Sequence, residues 1–426
     1  MENTSIAITK WTKIEKISFR FFFTYFALFV LFMNNGAYPF YGYLGQFFNV
    51  FLYNFIPWVG KTILGITYEI NTGPNGSGDT TYDYVLVFVM FSLAIITTVI
   101  WSLLDKNRSN YKKLYYWLTV ALRFYVGLML INYGLVKVIK LQFPYPSYNR
   151  LNQTYGESSP MGLAWTFLGF SKGYNLFMGL AEVAAVFLLF RRTLTFGLII
   201  TLATAANVMA VNYFYDVPVK ILSTHLVLMS IFLLAHNFED LFKFFFLKKP
   251  IHLREIEKPK LKNGLRKTLL VLKVLILFYA IPYSVYVTSQ QGGESSLKGF
   301  YEVKEFQVND SIFDVTDTLK YNTVKWKNML IDSKRWLRVE KIDERRSWYS
   351  IELDEKESKL TLRDYNDTTE VYKLTYKEID TANFVVKGTI KSDSIRIKFD
   401  LTKDYRKKFL LTNRGFHWIN ERPYNR

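Results

Sequence analysis

The chain has 426 residues, 54 Lys+Arg against 36 Asp+Glu, a net charge of +18, no cysteine and a mean hydropathy of only +0.06. The average hides two unlike parts. Residues 1–288 hold 27 bases and 13 acids, a net of +14, whereas residues 289–426 hold 27 and 23, a net of +4. In the first part the bases lie between apolar runs, the pattern of membrane spans with basic flanks, and no DNA- or RNA-reading motif accompanies them; nucleic-acid binding is excluded as the reason for the charge. The lack of cysteine excludes disulfides, Cys-ligated zinc, iron–sulfur clusters and a thiol nucleophile.

Crossing a bilayer takes about 20 mostly apolar residues. In chain order, seven stretches approach that: Phe19–Asn34, Tyr84–Leu104, Tyr115–Val138, Tyr174–Phe190, Leu194–Tyr213, Val219–Ala235 and Leu269–Val287. The first follows Lys10, Lys13, Lys16 and Arg20 and runs into bulky aromatics rather than a small-residue cleavage site, so it reads as an uncleaved first span. It is short, and an interfacial position is the alternative. Residues 40–66 are aromatic but broken by Gly and Pro, and read as a segment in the outer interface. The basic tail, DKNRSNYKK, Arg191–Arg192 and the Lys/Arg-rich 243–267 loop fall on one side of seven spans. By the positive-inside rule the N-terminus is then cytoplasmic and the C-terminal domain extracytoplasmic. Ser159-Pro160 is expected to open a short helix with Pro at its first position. Asp216 and Lys220, four residues apart, are expected to pair locally.

After Val287 the period changes. KLTLRDY, VKGTI and DSIRIKFDL alternate apolar and polar residues, separated by turn clusters at 354–357, 365–368 and 391–393. Six to eight such strands in this domain predict an antiparallel barrel or sandwich. RGFHWINERPYNR reads as a closing strand plus tail, with His417 structural.

Ionisable residues at membrane depth carry the functional signal, because they are costly and face the bundle interior. Arg123, Gly127, Leu130, Gly134 and Lys137 are spaced 4, 3, 4, 3 and form one helical stripe. Glu182, flanked by Gly179 and Ala185, is the deep acid. It is expected to pair with Arg123 or Lys137, as a chemical site or as a helix clamp; snorkelling of Arg123 and Lys137 toward opposite interfaces is the alternative. Asn207 and Asn212 follow in the next span, as ligand contacts or interhelical glue, and His225 in the one after, as a ligand, a proton carrier or a hydrogen-bonded core residue. On the seven-span topology these groups open a polar pocket outward, roofed by the 141–172 loop.

The segments RFYVGLMLINYGLVKVI, SSPMGLAWTFLGFS, GLAEVAAVFLLFRRT and NVMAVNYFYDVPVK, over residues 115–236, resemble the four-helix unit of DoxX-like bacterial membrane proteins. The resemblance implies a multi-pass protein of the bacterial inner membrane, with an intramembrane polar pocket contributed by Arg123, Lys137 and Glu182. Some members are linked to quinone-dependent oxidation. It divides the chain into an N-terminal pair of spans (1–113), the DoxX-like bundle (114–240), a basic loop with the seventh span (241–288) and the soluble β domain (289–426). Three functions are compatible with it. The first is a quinone- or lipid-binding, redox-linked protein with Glu182 and His225 as proton-handling groups, Arg123, Lys137, Asn207 and Asn212 contacting the ligand, and no covalent cofactor or metal. The second is a non-enzymatic envelope factor that binds a periplasmic protein through its β domain. The third is a small-molecule transporter.

Overall fold

The computed structural model describes residues 10–39, 41–73, 75–290, 295–309, 311–313, 325–367, 369–380, 383–391 and 393–424. Thr368 and Ser392, in two of the expected turns, lie outside them. By contacts the chain divides into two units: residues 1–143 with 159–289, and residues 144–158 with 290–426.

The first unit is helical. Helix α1 (Lys13–Phe32) starts at a capping box in which Thr12 and Glu15 satisfy each other's backbone donors. Helix α2 (Tyr41–Thr62) is continuous despite Pro57. The expected break is absent because a proline costs one backbone bond, and the rest of the turn carries through. Helices α3 (Thr81–Leu104) and α4 (Lys112–Val138) follow, the former with a Thr80–Asp83 capping box. Later in this unit come α6 (Pro160–Phe170), with Ser159 as its cap and Pro160 first as expected, and α7 (Lys172–Val183), which tightens into a 3-10 stretch, Ala184–Leu189. Then come α8 (Leu194–Phe214), α9 (Lys220–Ala235) and α10 (Phe238–Leu247). Last, α11 (Asn263–Leu275) joins α12 (Ile281–Gln290) through a π-helical turn at Ile276–Ala280. That turn sits just before Pro282, whose missing N–H loosens the ladder.

Among the described residues, five helices are long and apolar enough to cross a membrane: Thr81–Leu104, Lys112–Val138, Lys172–Leu189, Arg191–Phe214 and Asn263–Val287. A sixth is added if α9 and α10, bent by 80°, form one span. The chain thus has several helices fit for a multi-pass membrane protein. α1 is outside this set, since Lys13, Glu15, Lys16 and Arg20 crowd its first half. Arg20 is nevertheless buried. Its guanidinium donates to the Tyr111 hydroxyl, at 2.7 and 3.0 Å, to Ser102 at 2.8 Å and to the Asp105 carbonyl at 2.9 Å, tying α1 to the α3–α4 connection.

The second unit is a closed antiparallel barrel. Its strands are β1 (Gly299–Val308), β2 (Ser311–Phe313), β3 (Trp326–Ile331), β4 (Trp336–Lys341), β5 (Arg346–Asp354), β6 (Lys359–Asp364), β7 (Val371–Glu378), β8 (Asn383–Ile390) and β9 (Asp393–Leu401). Each strand from β3 on pairs with the next, and β9 returns to β1, so eight strands close while β2 extends the end of β1. The alternating residues supply the interior: Leu337 and Val339, Leu360 and Leu362, and Ile395, Ile397 and Phe399 are buried in one core with Trp326 and Tyr349. Eight strands enclose a space that side chains fill, which favours the barrel over the sandwich. No closing strand exists near His417 among the described residues, because β9 already seals the ring; His417 is exposed, with Nδ1 3.2 Å from the Gly415 carbonyl.

Residues 144–158 belong to this unit. The Asp332 carboxylate accepts from the backbone N–H groups of Tyr148 (3.0 Å) and Asn149 (3.1 Å), at the start of the short helix α5 (Tyr148–Leu151). Arg406 donates to the Pro146 carbonyl at 2.8 Å and lies 4.9 Å from both the Tyr145 and Tyr148 rings. Tyr405 donates to Asn152 and stacks on Phe300 at 3.9 Å.

Candidate functional site

The stripe on α4 packs against α7. A Cβ at Gly134 would lie 2.6 Å from the Gly179 carbonyl oxygen, and one at Gly179 would lie 2.7 Å from that of Gly134. Only glycine at both positions permits this approach of two backbones. One turn beyond Gly134, Lys137 donates to both carboxylate oxygens of Glu182 at 2.7 Å, and both side chains are buried. Aromatic rings close over the ammonium: Tyr133 at 5.7 Å and Phe143 at 5.6 Å, the latter edge-on to Trp165 of α6. Asn175, on the same face of α7, donates to the Leu168 carbonyl of α6 at 2.6 Å. Of the expected 141–172 roof, Phe143 and α6 therefore supply cover for the pair. The buried oxygens Asn132 Oδ1, Gln142 Oε1 and Asn175 Oδ1 accept no hydrogen bond among the described residues, leaving acceptors for water.

The remaining sequence candidates are dispersed. Arg123 does not reach Glu182; it donates to the Leu189 carbonyl at 2.8 Å, where the end of the span-4 helix offers an unsatisfied acceptor. His225 Nδ1 lies 2.7 Å from the Ile221 carbonyl, which can only accept, so the ring is protonated there. Nε2 then accepts from the Tyr25 hydroxyl at 2.7 Å. The ring stacks on Phe29 at 3.8 Å. Both nitrogens are thus used within the α1–α9 contact, and none of these bonds is shared with Glu182. Asn212 is buried and donates to the Val219 carbonyl at 3.3 Å, fixing the α8–α9 turn, where Lys220 also pairs with Asp216 at 2.8 Å. Asn207 is exposed on α8, away from the interior, because it lies on the face of Ile199 and Phe214.

The structure adds a region that polarity alone did not flag. A polar cavity of about 570 Å³ lies at the α1–α2 junction. Asn34, Asn35, Gln46 and Asn49 line it with amides, and Gly42 and Gly45 open the α2 wall. None of its described lining residues is charged. An apolar groove of about 630 Å³ lies alongside, lined by Phe23, Phe26, Val30, Trp117, Ala121 and Leu122 among others. Tyr38, Pro39 and Tyr41 belong to both walls. Tyr38 is pinned there by donating to the Ala121 carbonyl at 2.6 Å. Gln46 and Asn49 share a face of α2 one turn apart, and neither is hydrogen-bonded to another described residue. Their spacing with Gly42 and Gly45 was the available signal, masked by the reading of residues 40–66 as irregular.

No family model matches the chain, and no solved structure matches it. It is similar to the protein named Uncharacterized protein YwoB of Bacillus subtilis (strain 168), at 34% identity over 146 residues, which span 32% of this chain and 86% of that one. With 86% of that protein's length matched at this identity, the chain belongs to the YwoB family.

Proposed function

We propose that the protein binds a membrane amphiphile, a quinone or a neutral-headed lipid, at the junction of α1, α2 and α4. The observation that carries this is the pair of adjoining cavities, one lined by uncharged amides and one by hydrocarbon, with a common wall at Tyr38–Pro39–Tyr41. Each is of ligand size. Amide N–H groups suit carbonyl or hydroxyl oxygens of a head, and the groove suits a prenyl or acyl tail. A quinone held there would supply two-electron redox chemistry, while this chain's residues bind and orient the head. The Lys137–Glu182 pair serves as the clamp of α4 to α7, and its mutual neutralisation supports that role. The DoxX resemblance favours a bacterial inner-membrane protein. With α1 as a further crossing, which the bonds of its N-terminal half to the α3–α4 connection support, the basic loops favour a cytoplasmic N-terminus and a periplasmic barrel.

The test is to purify the protein in mild detergent and identify co-purifying quinones and lipids by mass spectrometry. Gly42→Leu, at a position whose Cβ would meet nothing within 4 Å, and Ala121→Phe in the groove are each expected to lower the bound amphiphile at least tenfold. Equal loading of wild type and both variants would refute the site. A second reading has its own support. The barrel interior is filled by its own side chains, so recognition by that domain falls to its outer surface, as a periplasmic partner would require.

A further inference from the structure

Two cations meet on one backbone oxygen where the Lys172–Leu189 span ends. Arg123 Nη2 donates to the Leu189 carbonyl at 2.8 Å, and Lys273 Nζ of α11 donates to the same oxygen at 2.7 Å. The two nitrogens are therefore no more than about 5.5 Å apart. Lys273 also sits 3.9 Å over the Phe190 ring. The chain continues into Arg191, which lies 5.9 Å over Tyr116 and donates to the Ile256 carbonyl at 2.6 Å. Among the described residues, none of these three cations is paired with a carboxylate. A helix C-terminus carries only about half a negative charge, and the effect is local. Two full cations at that end leave roughly one and a half positive charges uncompensated. Arg123 is only 7% exposed, and its Nε has no acceptor among the described residues. Lys273 is half-buried, so the cluster keeps an open side. Arg191 and Arg192 directly follow the span, and basic residues flanking a span suit the phosphates of anionic lipids.

We propose that Arg123 and Lys273, at the basic end of the Lys172–Leu189 span, bind the phosphate of an anionic phospholipid. The phosphate accepts from both cations, which a carbonyl dipole alone does not balance. Neither residue lines the amphiphile groove, so this site and the one proposed above stand or fall separately.

The experiment uses the full chain in a non-ionic detergent. Phosphatidylglycerol, phosphatidylcholine and inorganic phosphate are titrated separately, and adducts are counted by native mass spectrometry. Wild type is expected to retain phosphatidylglycerol at least tenfold more tightly than phosphatidylcholine. Lys273→Gln is expected to remove that preference and Lys273→Arg to keep it. Lys273 is the residue of choice because its half-buried position makes misfolding a lesser concern than at Arg123. Thermal melts of each variant confirm folding. Indistinguishable wild type and Lys273→Gln, or no preference for phosphatidylglycerol in wild type, overturns the proposal. If inorganic phosphate displaces the lipid at equal concentration, the site takes free phosphate and the lipid assignment falls; failure to displace it supports the lipid.

Discussion

Removing one partner of the Lys137–Glu182 pair and removing both have opposite expected consequences. The two charges are held at 2.7 Å, with side chains only 7% and 3% exposed. Lys137→Met leaves a buried carboxylate with no cation; Glu182→Leu leaves a buried ammonium. Breaking a buried pair from one side costs about 3–5 kcal/mol, a population change of at least a hundredfold. Replacing both by apolar groups of similar volume is commonly neutral or stabilising. The combined Lys137→Met/Glu182→Leu variant is therefore expected within about 1 kcal/mol of wild type, far from the sum of the single losses. The assay is equilibrium unfolding in mixed micelles, followed by tryptophan fluorescence, for wild type, both singles and the double. Amphiphile loading of the double variant separates clamp from site, since a clamp leaves loading intact. A double variant as damaged as either single, or a harmless Lys137→Met, refutes the clamp reasoning.

Other consequences are as direct. Gly134→Ala forces a Cβ to 2.6 Å from the Gly179 carbonyl, so it should cost at least the 1–3 kcal/mol typical of overpacking, while Gly42→Ala, in open helix, should gain about 0.5–1 kcal/mol; thermal melts compare them. Tyr25→Phe strips the buried His225 Nε2 of its donor and should cost about 1–3 kcal/mol in the same melts. Asp332→Ala frees two backbone donors of the 148–149 turn. It should weaken that cap by about 0.5–2 kcal/mol, read as faster limited proteolysis between residues 144 and 158. Hydrogen bonds from the Thr154 backbone and hydroxyl, and then Arg346, hold the Glu157 carboxyl below the usual range. That support is complete above the ordinary glutamate pKa and disappears as pH falls through the depressed value, so proteolysis of this segment should rise in acid, and Glu157→Gln should remove the pH dependence.

Periodicity made the barrel legible. DSIRIKFDL appears as β9 with those bounds, and KLTLRD as β6. Closure was not legible, because pairing of β1 with β9 joins residues about a hundred positions apart and alternation says nothing about partners. On the membrane side, the spacing of Arg123, Gly127, Gly134 and Lys137 placed one face against protein, and Gly134–Gly179 bears it out. Which base would meet Glu182 was open, since α4 and α7 run past each other and depth along each helix decides it. Reach favours Lys137, while Arg123 finds a carbonyl at the other end of the contact. His225 was readable either way, and only the Tyr25 and Ile221 bonds distinguish a satisfied core residue from a free one.

The segment 144–158 also constrains the path through the membrane. It is bonded into the barrel unit through Asp332, Arg406 and Tyr405, so it must share that unit's side of the bilayer. Between Ser158 and Gln290 the chain must then cross an even number of times. If the candidate spans Lys172–Leu189, Arg191–Phe214 and Asn263–Val287 each cross, they give three, and the bent α9–α10 pair is the remaining candidate among the described residues. A re-entrant α9 would leave the count odd and tear the barrel unit across the membrane. We therefore expect α9 to cross, with α10 turning along the far interface. The absence of cysteine makes this directly measurable with single replacements. Tyr155→Cys and Lys356→Cys should react with a membrane-impermeant maleimide from the same side, and Lys248→Cys only from the opposite one. Labelling of all three from one side would refute the crossing of α9, and labelling of Tyr155→Cys and Lys356→Cys from opposite sides would break the unit on which the parity rests.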